Sequence, residues 1–128
     1  MRVIAIIVMI LGLASLVFGV IFIMQASTAE DEIAESIAPL KLNEVESRYE
    51  AVKAKQSAIK MAEEPAIQAG QAQPSAMYNY LTIQRTGLGK TLGEIGIASF
   101  TRMSGIINAV VGVGLILAGV GLLKKASA

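Results

Sequence analysis

One short motif in this sequence has the residue types that bind nucleotide phosphates. Residues 87–91 read Gly-Leu-Gly-Lys-Thr, and in phosphate-binding loops glycine amides and a lysine hold the phosphates. The full loop requires another glycine five positions before Gly89, where this chain has Gln84. It also follows a buried strand of a parallel sheet, which so short and helix-rich a chain does not provide. We therefore expect a glycine-rich helix entry here and no bound nucleotide.

Metal ligands and acid–base catalysts are scarce. The sequence has no histidine and no cysteine, which excludes imidazole and thiolate metal sites and a histidine base. Glu30, Asp31, Glu32 and Glu35 lie close together, but on a helix they spread around its circumference, and no calcium-loop pattern accompanies them. We expect a solvated acidic collar, no metal, no cofactor and no enzymatic activity. The net charge of +1 gives no reason to expect nucleic acid as a partner.

The composition indicates a small membrane protein. The 128-residue chain is 54% hydrophobic and only 16% charged, and its mean hydropathy is +0.61. Residues 3–24 and about 103–123 are uncharged, and each run is long enough as a helix to cross a hydrocarbon core of roughly 30 Å. The first run is longer than the apolar region of a cleavable signal peptide, roughly 7–15 residues, so we expect a retained span.

The charges at the ends of the spans predict an orientation. Arg2 precedes the first span, and Lys124 and Lys125 follow the second, whereas the acidic collar follows the first. By the positive-inside rule, both termini are expected in the cytoplasm and residues 25–102 outside it. The predicted location is the cell membrane, as a multi-pass protein in contact with the lipid bilayer.

Small residues recur every seven positions in both spans. Seven residues make two helical turns, so each series lies on one stripe where another backbone can approach closely. Such seams hold helices together in lipid. The heptad positions, the small pairs spaced by four and a second small face on the second span together give the predicted helix-packing residues: Ala5, Gly12, Ser15, Gly19, Gly105, Ala109, Gly112, Gly114, Ala118, Gly119 and Gly121.

Asn108 is the one strongly polar residue well inside the second span. Its amide could line a pore or contact a ligand, but buried amides in membranes commonly bond across helices. We predict an interhelical hydrogen bond from Asn108.

The segment between the spans is predicted to have two parts. Residues 25–65 have a helical composition and form an extramembrane arm, which either continues the first span or restarts at Thr28. Residues 66–90 are predicted to be an irregular connector containing Gly, Pro and Gln, within which 77–83 could be a strand or a helix start. Residues 91–123 are predicted to be a helix that includes the second span.

The arm carries a seam of apolar residues at alternating spacings of three and four. The pattern is typical of a coiled coil, but it is under three heptads long and therefore needs a partner. Glu44 with Arg48 and Glu50 with Lys53 are expected as ion pairs on the same helix. The predicted partner-binding seam consists of Leu42, Val45, Tyr49, Val52, Gln56 and Ile59.

These features predict an all-α integral membrane protein: a two-span antiparallel transmembrane helical hairpin with a helical extramembrane arm. We expect a non-catalytic structural or accessory subunit that associates with itself, as a homo-oligomer, or with a larger membrane-protein complex. One alternative is a holin-like pore-forming or membrane-remodelling oligomer, for which Ser15, Ser104 and Asn108 offer the only polar stripe. Another is an extracytoplasmic ligand-binding module in the region 77–96.

Overall fold

The computed structural model describes residues 1–127, which contain helices and connecting turns but no strand. Helix α1 spans Arg2–Ile37, a short 3₁₀ turn spans Leu42–Glu44, α2 spans Val45–Gln68 and α3 spans Ala76–Ser127. The prediction of an all-helical chain is therefore confirmed. Both α1 and α3 are long and apolar enough to cross a membrane.

The chain forms two compact units, which are described separately below. The first unit consists of residues 1–32 and 97–127. The second unit consists of residues 33–96, which include α2 and the amino-terminal part of α3.

Helix α1 continues without a break past the end of the predicted span. The hydroxyl of Thr28 donates to the carbonyl of Met24 at 3.1 Å, one turn earlier in the same helix, and does not cap a new one. Of the two alternatives for the start of the arm, the structure therefore shows the continuous helix, which ends at Ile37, just before Pro39.

Helix α2 ends in a Schellman motif built on a glycine. Gly70 has a φ of 70°, a left-handed conformation that glycine adopts without the cost of a Cβ. Its N–H donates to Ile67 O at 3.0 Å, and that of Gln71 donates to Ala66 O at 2.9 Å. Pro65 lies in the last turns of α2 and does not end it. The helix therefore runs past the proline at which the sequence predicted its end.

Helix α3 begins fifteen positions earlier than the sequence predicted, at Ala76 and not at 91. Ser75 caps it, because its hydroxyl accepts the Tyr78 N–H at 3.1 Å. The glycines at 87–96 lie within the helix, where each costs about 1 kcal/mol relative to alanine and none breaks it. The predicted irregular connector 66–90 is consequently reduced to residues 69–75, and the ambiguous segment 77–83 is helical.

Candidate functional site

The first unit buries small residues and exposes large ones. The buried positions recur every seven residues on both helices, and only alanine and glycine occupy them: Ala5, Gly12, Gly19 and Ala26 on α1, and Ala98, Gly105, Gly112 and Gly119 on α3. Large apolar side chains of the same segments, such as Ile10, Leu13 and Val110, are more than half exposed. This arrangement is the reverse of a water-soluble core, in which large apolar side chains are the ones most often buried.

The small residues bring the two backbones into direct contact. A Cβ on Gly12 would lie 2.8 Å from Gly112 O, and one on Gly112 would lie 2.6 Å from Gly12 O. Further along, a Cβ on Gly19 would lie 2.7 Å from Gly105 O. As the residue number increases along α1, the number of the facing residue on α3 decreases. The two helices therefore pack antiparallel in this unit. No side chain larger than hydrogen fits at these crossings without moving a backbone.

Two other predicted packing residues also lie at this interface. The Cβ position of Gly19 is 2.6 Å from the backbone nitrogen of Ala109. The hydroxyl of Ser15 reaches across from α1 to donate a hydrogen bond to α3.

The second small face of α3 is open in the described part of the chain. A Cβ on Gly114 or Gly121 would have no atom within 4 Å, and Ala118 is exposed. These three residues were predicted to pack against a second neighbour, and that remains a prediction.

The hydrogen bond between the two helices differs from the one the sequence predicted. Ser15 Oγ donates to the backbone carbonyl of Asn108 at 2.9 Å, whereas the side chain of Asn108 makes no hydrogen bond within residues 1–127. Within the described residues the Ser15 hydroxyl makes the bond between these helices, and a bond from the Asn108 amide to another helix stays a prediction. The main chain of α3 is close enough to α1 for a serine hydroxyl to reach its carbonyl, so no long side chain is required.

One carboxylate of the acidic collar pairs with a cation of the other helix. Glu30 pairs with Arg102, a contact between α1 and α3 inside the first unit. No group of three or more carboxylates among the described residues could hold a metal ion. The collar thus contributes one ion pair between the helices, and its other carboxylates are not held around a common point.

In the second unit, the predicted partner-binding seam lies against the chain's own α3. Val45 is fully buried and Val52 is 4% exposed, while Leu42, Tyr49 and Ile59 are half-buried. The ring of Tyr49 lies beside α3, since a Cβ on Gly89 would be 3.5 Å from its Cε2. The sequence pattern correctly indicates a face that must be covered. At Tyr49 and Gln56 this face lies against α3 of the same chain, and binding of a further partner through it stays a prediction.

Gln56 is the polar centre of the second unit, at 8% exposure. Its Nε2 donates to Thr82 Oγ1 at 2.9 Å, and its Oε1 accepts from Arg85 Nη1 at 2.8 Å. Thr82 in turn donates to the Tyr78 carbonyl. Because both ends of the amide are bonded, burying it avoids the penalty of an unsatisfied polar group and fixes the register of α2 on α3. Nothing in the spacing of Gln56 identified Thr82 and Arg85 as its partners.

The connector 69–75 is attached to α2 through Glu63. One oxygen of this carboxylate accepts the Ser75 N–H at 3.0 Å. The hydroxyl and the backbone N–H of Ser75 lower the pKa of the Glu63 carboxyl below its ordinary value. The residue that caps α3 is therefore itself held by the preceding helix.

The nucleotide-like motif at 87–91 lies in the middle of a continuous helix. The hydroxyl of Thr91 donates to the Gly87 carbonyl at 3.2 Å, and Lys90 pairs with Glu94 at 3.6 Å. The backbone amides that would hold phosphate in a loop are inside α3 here.

The first unit thus holds its helices in close backbone contact, and the second has a bonded amide in a helix–helix seam. Comparison of the chain with protein-family models, curated proteins and solved structures finds no match.

Proposed function

We propose that this chain is a non-catalytic structural or accessory subunit of a cell membrane. In this proposal, residues 3–24 and 103–123 cross the bilayer as a tight antiparallel hairpin. The observation that carries the proposal is the burial pattern of the first unit, in which alanine and glycine are inside and large apolar side chains are outside. In lipid, apolar side chains need no burial, and helices associate through close backbone packing.

The proposed topology has both termini in the cytoplasm and residues 25–102 on the extracytoplasmic side. The basic residues Arg2, Lys124 and Lys125 support it, since cytoplasmic flanks are enriched in lysine and arginine.

Single cysteines test this topology directly, because the chain has none of its own. A membrane-impermeant maleimide should label Ser57→Cys in intact cells, whereas it should label Ser127→Cys only after the membrane is permeabilised. Labelling of both positions in intact cells, or of neither, would contradict the hairpin.

We further propose that the subunit assembles with copies of itself or with a larger membrane complex through residues 33–96 and the outer small face of α3. Gly114 and Gly121 support this, because α3 keeps a second surface on which a backbone could approach. The mass of the particle released from native membranes in lipid nanodiscs tests the proposal. We expect a particle larger than one chain, and a lone chain in every preparation would contradict it.

The holin-like alternative would need polar groups facing a water path. The hydroxyl of Ser15 is instead bonded to the Asn108 carbonyl between the helices, which favours the packing role. Liposomes containing the pure protein should accordingly retain an encapsulated dye, and rapid dye release would favour the pore.

A further inference from the structure

Helix α2 contains a repeat that extends beyond the seam. Two consecutive seven-residue blocks each place a cation, an alanine and a β-branched residue at the same relative positions. The first block has Arg48, Ala51 and Val52, and the second has Lys55, Ala58 and Ile59. A period of seven keeps the equivalent residues of both blocks on one side of the helix.

The two kinds of position in this repeat have different surroundings. Val52 is buried and Ile59 is half-buried, and both β-branched residues belong to the seam described above. The alanines and the cations are exposed beside that seam. With four residues of α3 they border an open groove of about 470 Å³: Met77, Tyr80, Leu81 and Gln84. We call this surface the α2–α3 groove.

The length of the groove matches about three turns of a helix. Its α2 side runs from residue 48 to residue 59, roughly 16 Å or three helical turns. Ala51 and Ala58 leave room on its floor at two points that are two turns apart. Side chains spaced by seven residues on another helix meet both points, as they do when a helix packs into a coiled coil. Tyr80 and Met77, both more than half exposed, supply an apolar wall.

The charge on the groove is not neutralised within the described chain. On the same helix, Lys53 pairs with Glu50 at 3.1 Å and Lys60 pairs with Glu64 at 3.5 Å. Neither Arg48 nor Lys55 has a carboxylate within salt-bridge distance among residues 1–127.

The expected partner of Arg48 is engaged elsewhere. One carboxylate oxygen of Glu44 accepts the backbone N–H of Lys41 at 3.1 Å. The two groove cations are thus both available and seven residues apart.

We propose that the α2–α3 groove binds an acidic amphipathic helix of another protein. Two carboxylates of that helix, seven residues apart, reach Arg48 and Lys55, and apolar side chains of the same helix fill the space over Ala51 and Ala58. The inference deepens the proposed function, on which it rests, by naming the chemistry of the partner. A second copy of this chain does not meet the requirement, because no two of its own carboxylates are seven residues apart.

The probe is a pair of synthetic helical peptides of about three heptads. The acidic peptide carries glutamate at every seventh position beside a leucine stripe, and the basic peptide has lysine in place of each glutamate. Each is labelled with a fluorophore, and its binding to the full chain in nanodiscs of neutral lipid is followed by fluorescence anisotropy.

Two double variants with the same change in net charge distinguish the groove from general electrostatics. The groove variant is Arg48→Glu with Lys55→Glu, and the matched control is Lys53→Glu with Lys60→Glu on the same helix but outside the groove. Circular dichroism verifies that both variants keep their helix content.

We expect the acidic peptide to bind the unmodified chain and the control with Kd values within threefold of each other. The groove variant should bind it at least tenfold more weakly and should instead bind the basic peptide. No binding of the acidic peptide, or an equal loss in both variants, would overturn the proposal. These readings are independent of the particle mass and of cysteine labelling, so failure of the groove proposal is distinguishable from failure of the proposed function.

Discussion

Replacing Gly112 by alanine should destabilise the first unit, whereas the same change at Gly114 should not. The two glycines are two positions apart on α3 but face different surroundings. A Cβ on Gly112 would lie 2.6 Å from both Gly12 O and Leu16 N, whereas a Cβ on Gly114 would have nothing within 4 Å. Comparing the two variants therefore isolates the cost of disturbing close backbone packing from the general effect of glycine on helix stability.

The magnitude follows from the geometry. Ordinary van der Waals contact of a Cβ begins at 3.4 Å, so α1 and α3 must move apart by roughly 0.8 Å at this crossing to admit the methyl group. Overpacking of this kind costs about 1–3 kcal/mol. Alanine is also a better helix former than glycine by about 1 kcal/mol, but this gain is common to both variants. We expect Gly112→Ala to be less stable than Gly114→Ala by about 1–3 kcal/mol.

Reversible unfolding in mixed detergent micelles measures this difference. A donor and an acceptor dye on two introduced cysteines, one in each helix, report the separation of α1 from α3 as the denaturing detergent increases. The absence of native cysteines leaves no competing site for the dyes. If Gly112→Ala proves as stable as Gly114→Ala, the close approach of the two backbones is refuted.

Three further changes test other contacts. Gln56→Ala should destabilise the second unit by about 1–3 kcal/mol, because it leaves the groups bonded to Gln56 without a partner. The control Gln68→Ala, at an exposed position, should cost much less in the same thermal unfolding assay. Because folding lowers the pKa of Glu63, its bond to Ser75 stabilises the fold above the ordinary glutamate pKa and is lost as the pH falls through the lower, folded-state value. Glu63→Gln should therefore reduce the acid-induced loss of helicity seen by circular dichroism, and an unchanged pH profile would contradict this role. Arg102→Gln should cost less than about 1 kcal/mol, with a smaller effect at high salt, since the ion pair it breaks is partly exposed.

The sequence predicted the periodic features of the fold better than the boundaries of its helices. The small heptad positions of both spans coincide with the buried positions of the first unit, because a period of seven confines them to one stripe. The start of α3 was missed because tyrosine and β-branched residues at 77–83 suit a strand as well as a helix. The helix begins after Ser75, which caps it by accepting the Tyr78 N–H. This bond depends on local geometry that residue spacing does not show.

The covered seam shows a second limit of sequence reasoning. Alternating spacings of three and four identified a face of α2 that must be buried, and Val45 and Val52 are buried. The pattern cannot name what covers the face, because a neighbouring helix of the same chain and a separate protein satisfy it equally. In the structure, the Gln56 bonds to Thr82 and Arg85 place α3 of the same chain against the face at that point. The adjacent groove is the surface that we propose for a partner.

The two units have different residue types at the same helical period, and this difference bears on where the proposed membrane span ends. The buried series on α1 runs through Gly12, Gly19 and Ala26 and reaches Ile33 after one more heptad. Burying a large apolar side chain stabilises a helix pair in water by removing it from solvent, at about 25 cal/mol per Å². In lipid the same burial gains little, and close approach through small residues replaces it. The change from alanine at 26 to isoleucine at 33 is therefore the change expected of a helix that leaves lipid for water, and it falls across the acidic collar at 30–35.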